Sequence, residues 1–133
     1  MKFKYKRYSP NIVRPVIEIK LKSGSKFLRY EVLVDSGADF CIFSSEAGEA
    51  LGLDVKKGKM REVFGVGGKA SLYYLHKINI EVGGWAYEIE AGFMPDVAGR
   101  TMPYGLVGQK GFFENFIVRF DLLKEEIDFK IRN

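Results

Sequence analysis

Short runs of alternating apolar and polar residues recur along the chain, separated by turns that contain glycine. From Val13 to Leu21 the alternation becomes regular after Pro15, which is the pattern of a strand with one solvated face. The next run, Phe27 to Val34, ends in three consecutive apolar residues, so we expect its end to be buried on both faces. A polar loop follows that buried end directly.

The rest of the chain continues this pattern and contains one clear helix signal. Ser44 or Ser45 can cap a helix that runs to Leu51, and Gly52 would end it. The predicted hairpins join Met60 to Val66 with Lys69 to Val82, Lys69 to Val82 with Trp85 to Phe93, and Ile117 to Asp121 with Ile127 to Ile131. The pattern therefore predicts a mostly β architecture with one or two short helices.

Length and composition limit the possible classes of protein. A chain of 133 residues, 47% apolar and 29% charged, is typical of one globular domain, and no linker divides residues 1–133. The net charge of +4 is too small to indicate nucleic-acid or membrane binding without a localised basic patch.

Cysteine use and hydrophobicity suggest the compartment. The single cysteine, Cys41, cannot form an intrachain disulfide and cannot by itself form a metal site. The N-terminus lacks the apolar stretch of a secretory signal, and no run approaches the roughly 18 apolar residues of a membrane span. We therefore expect a cytoplasmic protein.

The candidate chemistry lies in the polar loop that follows the buried strand end. Asp35 supplies a carboxylate there, Ser36 a hydroxyl, and Gly37 lets backbone amides approach a ligand closely. Asp, Ser and Gly are also common turn residues, so these three positions alone do not distinguish a site from a simple turn.

Three features that occur in a fixed order favour a functional site over a simple turn. They are the apolar strand with Asp35-Ser36-Gly37-Ala38-Asp39, the glycine-rich Phe64-Gly65-Val66-Gly67-Gly68, and Leu106-Val107-Gly108. This order resembles the retroviral-type aspartic proteases, the retropepsins, over roughly Val16 to Phe120. The resemblance implies a closed β-barrel of the acid-protease fold.

The resemblance also implies a role for each matching residue. Asp35 matches the catalytic aspartate, and Ser36 matches the hydroxyl residue that locks the two active-site loops together across the dimer. Gly37, Ala38 and Asp39 complete the loop, in which Gly37 and Asp39 match positions that bind the substrate backbone. The flap tip that closes over the peptide matches Gly65, Val66, Gly67 and Gly68, and the strand that braces the catalytic loop matches Leu106, Val107 and Gly108.

Peptide hydrolysis by aspartates needs one ionised and one protonated carboxylate around a water molecule. Asp54, Asp96, Asp121 and Asp128 are each followed by an apolar residue instead of Ser-Gly or Thr-Gly, so the chain holds one half-site. A twofold homodimer would bring two copies of Asp35 together. Carboxylates about 3 Å apart repel by about 5 kcal/mol at an effective dielectric of about 20, so the pair would share one proton. No metal or organic cofactor is required.

Two departures from the viral pattern leave an alternative open. An arginine usually follows the apolar-apolar-Gly element and pairs with the aspartate at the Asp39 position, but here the residue is Gln109, which brings no charge. The C-terminal Ile117 to Ile131 also predicts a full hairpin where viral enzymes end in one strand. A catalytically silent module that binds peptides or assists assembly is therefore the main alternative.

Other candidate sites are weaker. The glycines from Gly65 to Gly68 lack the spacing of a phosphate-binding loop, and the lone His76 has no partner for a metal site. We expect Cys41 to pack in the core. The basic and aromatic segment Lys2 to Tyr8 could bind nucleic acid, but an amphipathic edge strand or a tail explains it more simply, so we expect no nucleic-acid partner.

Overall fold

The computed structural model describes residues 1–64, 68, 70–95 and 102–132, and these are mostly β-structure, as predicted. The helical segments are α1 (Ser45–Ala50), a 3-10 turn (Val55–Lys57) and an irregular segment (Gln109–Phe113) that is interrupted at Lys110 and Gly111. The strands in the described residues are β1 (Lys2–Lys4), β2 (Lys6–Ser9), β3 (Ile12–Arg14), β4 (Val16–Ser23), β5 (Lys26–Val34), β6 (Ile42–Ser44), β7 (Lys59–Phe64), β8 (Ala70–Val82), β9 (Trp85–Met94), β10 (Gly105–Val107), β11 (Phe116–Asp121) and β12 (Glu126–Ile131).

Six strands form a closed ring of hydrogen-bonded neighbours in the order β4, β5, β10, β6, β9 and β8, and β8 pairs back to β4. The pairings of β5 with β10 and of β6 with β9 are parallel. Closure gives each of the six strands a hydrogen-bonded neighbour on both sides, which limits edge-to-edge aggregation. The predicted closed β-barrel is therefore confirmed.

The barrel interior is filled by the apolar residues that the alternation predicted to face inward. Ile17, Ile19 and Leu21 of β4 are at most 3% exposed. In the same core, the ring of Phe112 lies 5.0 Å from that of Phe116, centroid to centroid. Burial of such side chains contributes roughly 25 cal/mol for each Å² of apolar surface, so these contacts dominate the stability of the fold.

Helix α1 begins and ends where the sequence predicted. The Ser44 hydroxyl accepts a hydrogen bond from the Ala47 N–H at 3.2 Å, which caps the first turn. Gly52 follows the last turn with a φ of +80°, a backbone conformation that favours glycine. The predicted capping residue and the predicted stop are both confirmed.

The two ends of the chain meet in a separate sheet with the order β1, β12, β11. The C-terminal hairpin is as predicted, and the N-terminal basic segment supplies its edge strand. The Lys4 ammonium lies 3.7 Å from a Glu126 carboxylate oxygen, and the Phe3 ring lies 5.2 Å from the Phe129 ring. Strand β1 thus pairs with β12 of its own chain. Among the described residues, no helix is long and apolar enough to cross a membrane.

Candidate active site

Asp35 is positioned by two neighbouring strands at the end of β5. Val32 and Val34 are buried, and Val34 pairs in register with Val107 of the parallel strand β10. The Asp35 N–H then donates to the Val107 carbonyl at 3.0 Å, which continues the ladder by one more bond. The backbone of Asp35 is therefore fixed by the barrel core.

The loop after Asp35 orients its carboxylate. Oδ1 accepts the Gly37 N–H at 2.9 Å, and the Asp35 carbonyl accepts the Ala38 N–H at 3.2 Å. Asp35 is half-buried, whereas Ser36, Gly37 and Asp39 are exposed. In the described part of the chain no donor bonds the second carboxylate oxygen. One oxygen is thus held by the loop while the other can face a ligand.

The segment after β10 packs against this loop, so the structure brings Asp35 to Asp39 together with Leu106 to Gly108. The Gln109 N–H donates to the Ala38 carbonyl at 2.8 Å, and the Lys110 N–H donates to the Asp39 carbonyl at 2.9 Å. Gly108 makes the close approach possible, because a Cβ there would lie 2.4 Å from the Ala38 carbonyl oxygen. Only glycine fits this contact without movement of the loop.

The Gln109 side chain also bonds to the loop, at a different acceptor from the one the viral pattern suggests. Its Nε2 donates to the Ser36 carbonyl oxygen at 2.5 Å. Gln109 therefore holds the backbone beside Asp35, while the Asp39 carboxylate has no basic partner within 4.0 Å among the described residues.

We expect Gln109→Ala to lower the free energy of unfolding by about 1 kcal/mol, because it removes one hydrogen bond to the loop. Urea unfolding at fixed protein concentration measures this loss. Lys124→Ala, an exposed change in the β11–β12 turn, is the control. A loss no larger than that of the control would show that the Gln109 amide does not stabilise the loop.

A second bracing contact, which the sequence analysis did not single out, lies beneath β10. The Tyr30 hydroxyl accepts the Ser44 N–H at 3.0 Å, and its ring lies 5.5 Å from that of Phe43. A Cβ on Gly105 would lie 2.5 Å from the Tyr30 ring. The available signal was an aromatic residue, Tyr30, within the alternating strand β5. Its partner in the fold was not predictable from the local pattern.

A groove of about 630 Å³ adjoins the end of the loop at Phe40, the residue after Asp39. Phe40 and Lys110 line one side, and Arg61, Tyr73 and Glu90 belong to the sheet that forms the other. The rings of Phe40 and Tyr73 are 6.4 Å apart. None of these residues was predicted as part of a site, because they come together only through pairing of distant strands.

The predicted flap falls only partly within the described residues. Strands β7 and β8 form its antiparallel base from Lys59 opposite Leu75 to Phe64 opposite Ala70. Gly65, Val66 and Gly67 lie outside the described residues, and Gly68 is exposed with a φ of +76°. The hairpin is confirmed, and the role of its tip stays a prediction.

Cys41 and His76 have structural contacts. Cys41 is fully buried and its thiol donates to the Lys110 carbonyl at 3.3 Å. His76 Nε2 lies 2.7 Å from the Val55 carbonyl oxygen, and its ring lies 5.8 Å from that of Phe93. Within the described ranges, no three His, Cys, Asp or Glu side chains are grouped to hold a metal.

Burial raises the pKa of the Cys41 thiol from its ordinary value of 9.0 to about 12. The unfolded chain therefore releases this proton first, above pH 9, so the stabilising contribution is complete below that pH and is lost as the pH rises towards 12. We expect the free energy of unfolding to fall over this window and to fall less steeply in Cys41→Ala. Urea unfolding at successive pH values tests this, and parallel slopes for the two proteins would contradict it.

Comparisons with known proteins agree with this geometry. The family described as "Aspartyl protease" matches residues 18–110, well over half of the chain. No curated protein matches the sequence. Of the solved structures, a retropepsin-like aspartic protease from Rickettsia conorii is similar with a TM-score of 0.62 and 16% identity, covering 96% of this chain and 86% of that one. The EIAV protease complexed with the inhibitor HBY-793 is similar with a TM-score of 0.54 and 18% identity, covering 77% of this chain and 88% of that one.

The two structural likenesses concern the fold, and the family match covers the segment from β4 through the Asp35 loop to Gly108 and beyond. The chain therefore belongs to the aspartyl protease family, and its fold is that of the retropepsin-like aspartic proteases.

Proposed function

We propose that the protein, acting as one domain over residues 1–133, is an aspartic endopeptidase that works as a homodimer. The observation that carries this proposal is the geometry of Asp35, a half-buried carboxylate held through one oxygen by the Gly37 N–H at 2.9 Å. Its backbone is fixed to the barrel through Val107. A rigid carboxylate with one available oxygen is suited to bind and deprotonate water.

One such carboxylate is not sufficient for the reaction. A second must carry a proton, polarise the peptide carbonyl and later protonate the leaving amine. Among the described residues, Asp54, Asp121 and Asp128 do not supply this second carboxylate. Asp121 and Asp128 belong to the terminal sheet, and Asp54 pairs with Lys57. Asp35 of an identical subunit supplies the second carboxylate, and a twofold axis between the two loops places it there.

The substrate would be an extended peptide bound by strand addition. Gly37 and Asp39 are exposed beside Asp35, where a peptide backbone could bond to them, and Ser36 would join the two loops across the axis. The loop that joins β7 to β8, which includes Gly65 to Gly68, would cover the peptide from the other side. Apolar side chains near the cleaved bond would fill pockets between these elements. The buried, free cysteine is compatible with a reducing compartment, and we propose the cytoplasm.

The test compares the wild type with Asp35→Asn on a mixed peptide library from pH 3 to pH 8, with and without a pepstatin-like inhibitor. Sedimentation first establishes a concentration at which the protein is dimeric. We expect the wild type to cleave peptides with a bell-shaped pH profile, because two coupled carboxylates must share one proton. A dimeric wild type that binds peptides and cleaves none would favour the silent module, to which the uncharged Gln109 gives some support.

A further inference from the structure

Asp39 is a carboxylate without a cation at the edge of the proposed cleft. It is exposed, and among the described residues no basic group lies within 4.0 Å of it. The side chain of Gln109, which follows Gly108, is used instead on the Ser36 carbonyl oxygen. A carboxylate that binds a peptide N–H through one oxygen keeps a second oxygen that needs a donor once the peptide excludes water.

Two basic residues, Arg61 and Lys110, line the groove, and Arg61 is the one that can present several donors in one plane. It lies on β7 directly opposite Tyr73 of β8, and both residues line the groove beside Phe40, the residue that follows Asp39. The guanidinium makes one weak bond, from Nη1 to the Met60 carbonyl at 3.3 Å. Within the described residues no carboxylate lies within 4.0 Å of it. Arg61 is thus a cation without a partner that faces the groove.

Tyr73 connects the two charges. Its side chain is 2% exposed, and its ring lies 6.4 Å from that of Phe40. Burial is the main cause that raises the pKa of Tyr73, Arg61 lowers it, and Asp39 raises it. Arg61 is paired opposite Tyr73 in the β7–β8 ladder, and the Tyr73 ring lies near that of Phe40, which directly follows Asp39, so both charges border the same part of the groove.

We propose that Arg61 is a positioning residue that pairs with Asp39 across Tyr73 and so replaces the arginine that is missing at Gln109. This inference rests on the proposed function, in which Asp39 binds the substrate backbone. A guanidinium presents several donors in a rigid plane, so it can reach a carboxylate oxygen that the peptide leaves available. The pair strengthens as a bound peptide removes water from it.

The groove also offers competing acceptors. Glu88, Glu90 and Glu114 line it, and Glu114 Oε1 already accepts the Gly111 N–H at 2.8 Å. An experiment must therefore identify which carboxylate Arg61 contacts. It must also give an answer if the protein proves not to cleave peptides.

A zero-length carbodiimide crosslinker meets both needs, because it joins an amine to a carboxylate only when they are in contact. We expect Arg61→Lys to form an amide with Asp39 while a peptide or a pepstatin-like inhibitor is bound, identified by mass spectrometry of the digested product. Arg61→Lys combined with Asp39→Asn is expected to lose the product. Lys59, two residues away on the same strand, is the internal control and should not join to Asp39. A crosslink from position 61 to Glu88, Glu90 or Glu114 in place of Asp39 would overturn the proposal.

Kinetics tests the positioning role in the dimeric enzyme. We expect Arg61→Gln to raise KM about threefold to tenfold with kcat little changed, and Arg61→Lys to recover part of the loss. Asp39→Asn combined with Arg61→Gln should be no worse than Asp39→Asn alone, because the two act as a pair. Lys59→Gln, which removes the same charge, should leave KM unchanged.

The two experiments separate the two proposals. An Asp39 crosslink in a protein that cleaves no peptide would reject the protease while supporting the pair. Active enzyme with no Asp39 crosslink, or with additive effects of Arg61→Gln and Asp39→Asn, would reject the pair while leaving the protease in place.

Discussion

Replacing Asp35 with asparagine is expected to reduce peptide cleavage about a thousandfold or more, because an amide can neither accept the proton of the attacking water nor return it to the leaving amine. The loop should keep its shape in this variant. The amide oxygen of asparagine can accept the same Gly37 N–H that Asp35 Oδ1 accepts at 2.9 Å. The loss would therefore fall on kcat rather than on folding.

Steady-state cleavage and thermal unfolding of the same preparations measure this effect. Asp54→Asn makes the same chemical change at an exposed carboxylate that pairs with Lys57 outside the loop, and it should leave cleavage unchanged. A variant Asp35→Asn that is folded and retains more than about a tenth of the wild-type kcat would show that another group performs the chemistry.

Gly108→Ala is expected to have a large effect on both folding and activity. The added Cβ would lie 2.4 Å from the Ala38 carbonyl oxygen and 2.6 Å from that of Phe40, and both are backbone atoms that cannot rotate away. Relieving such overlap in a packed site costs about 3 kcal/mol of stability. The loop that carries Asp35 must also move, and a displacement of about 1 Å can cost about a hundredfold in rate.

The control for this variant is Gly24→Ala in the β4–β5 turn. No atom lies within 4 Å of a Cβ at that position, but its φ of +58° disfavours alanine by about 1 kcal/mol. Urea unfolding must be compared at one protein concentration, because dimerisation stabilises the folded state by mass action. We expect Gly24→Ala to lose stability without loss of cleavage. If Gly108→Ala behaves like the control, the close approach at Gly108 does not shape the active site.

Local patterns were sufficient to predict most strands and the Asp35 loop. Alternation defines which residues of β4 face inward, and the apolar end of β5 is buried as expected at Val32 and Val34, although Leu33 on the other face is half-buried. Ser44 and Gly52 mark the ends of α1 through contacts within a few residues. In each of these cases the physical cause lies close to the residue in sequence, so a single sequence contains it.

Features that depend on strand partners were not predictable in the same way. Alternation does not specify which strand lies beside which, so the pairing of β4 with β8 that closes the barrel was visible only in the structure. The contact of Tyr73 with Phe40, and the bond from Gln109 to the Ser36 carbonyl, also join distant segments. The resemblance of the motif indicated where the site lies. The contacts that brace the Asp35 loop, and the groove beside it, became visible only in the structure.

Subunit mixing is the most direct measurement of whether two chains share one active site. Wild-type protein is mixed with an equal amount of Asp35→Asn, the subunits are allowed to exchange, and total cleavage is compared with that of the unmixed components. Random exchange leaves about a quarter of the dimers fully wild type, so we expect cleavage to fall to about half of the unmixed value. Cleavage that stays unchanged after complete exchange would mean that a single chain carries the whole reaction.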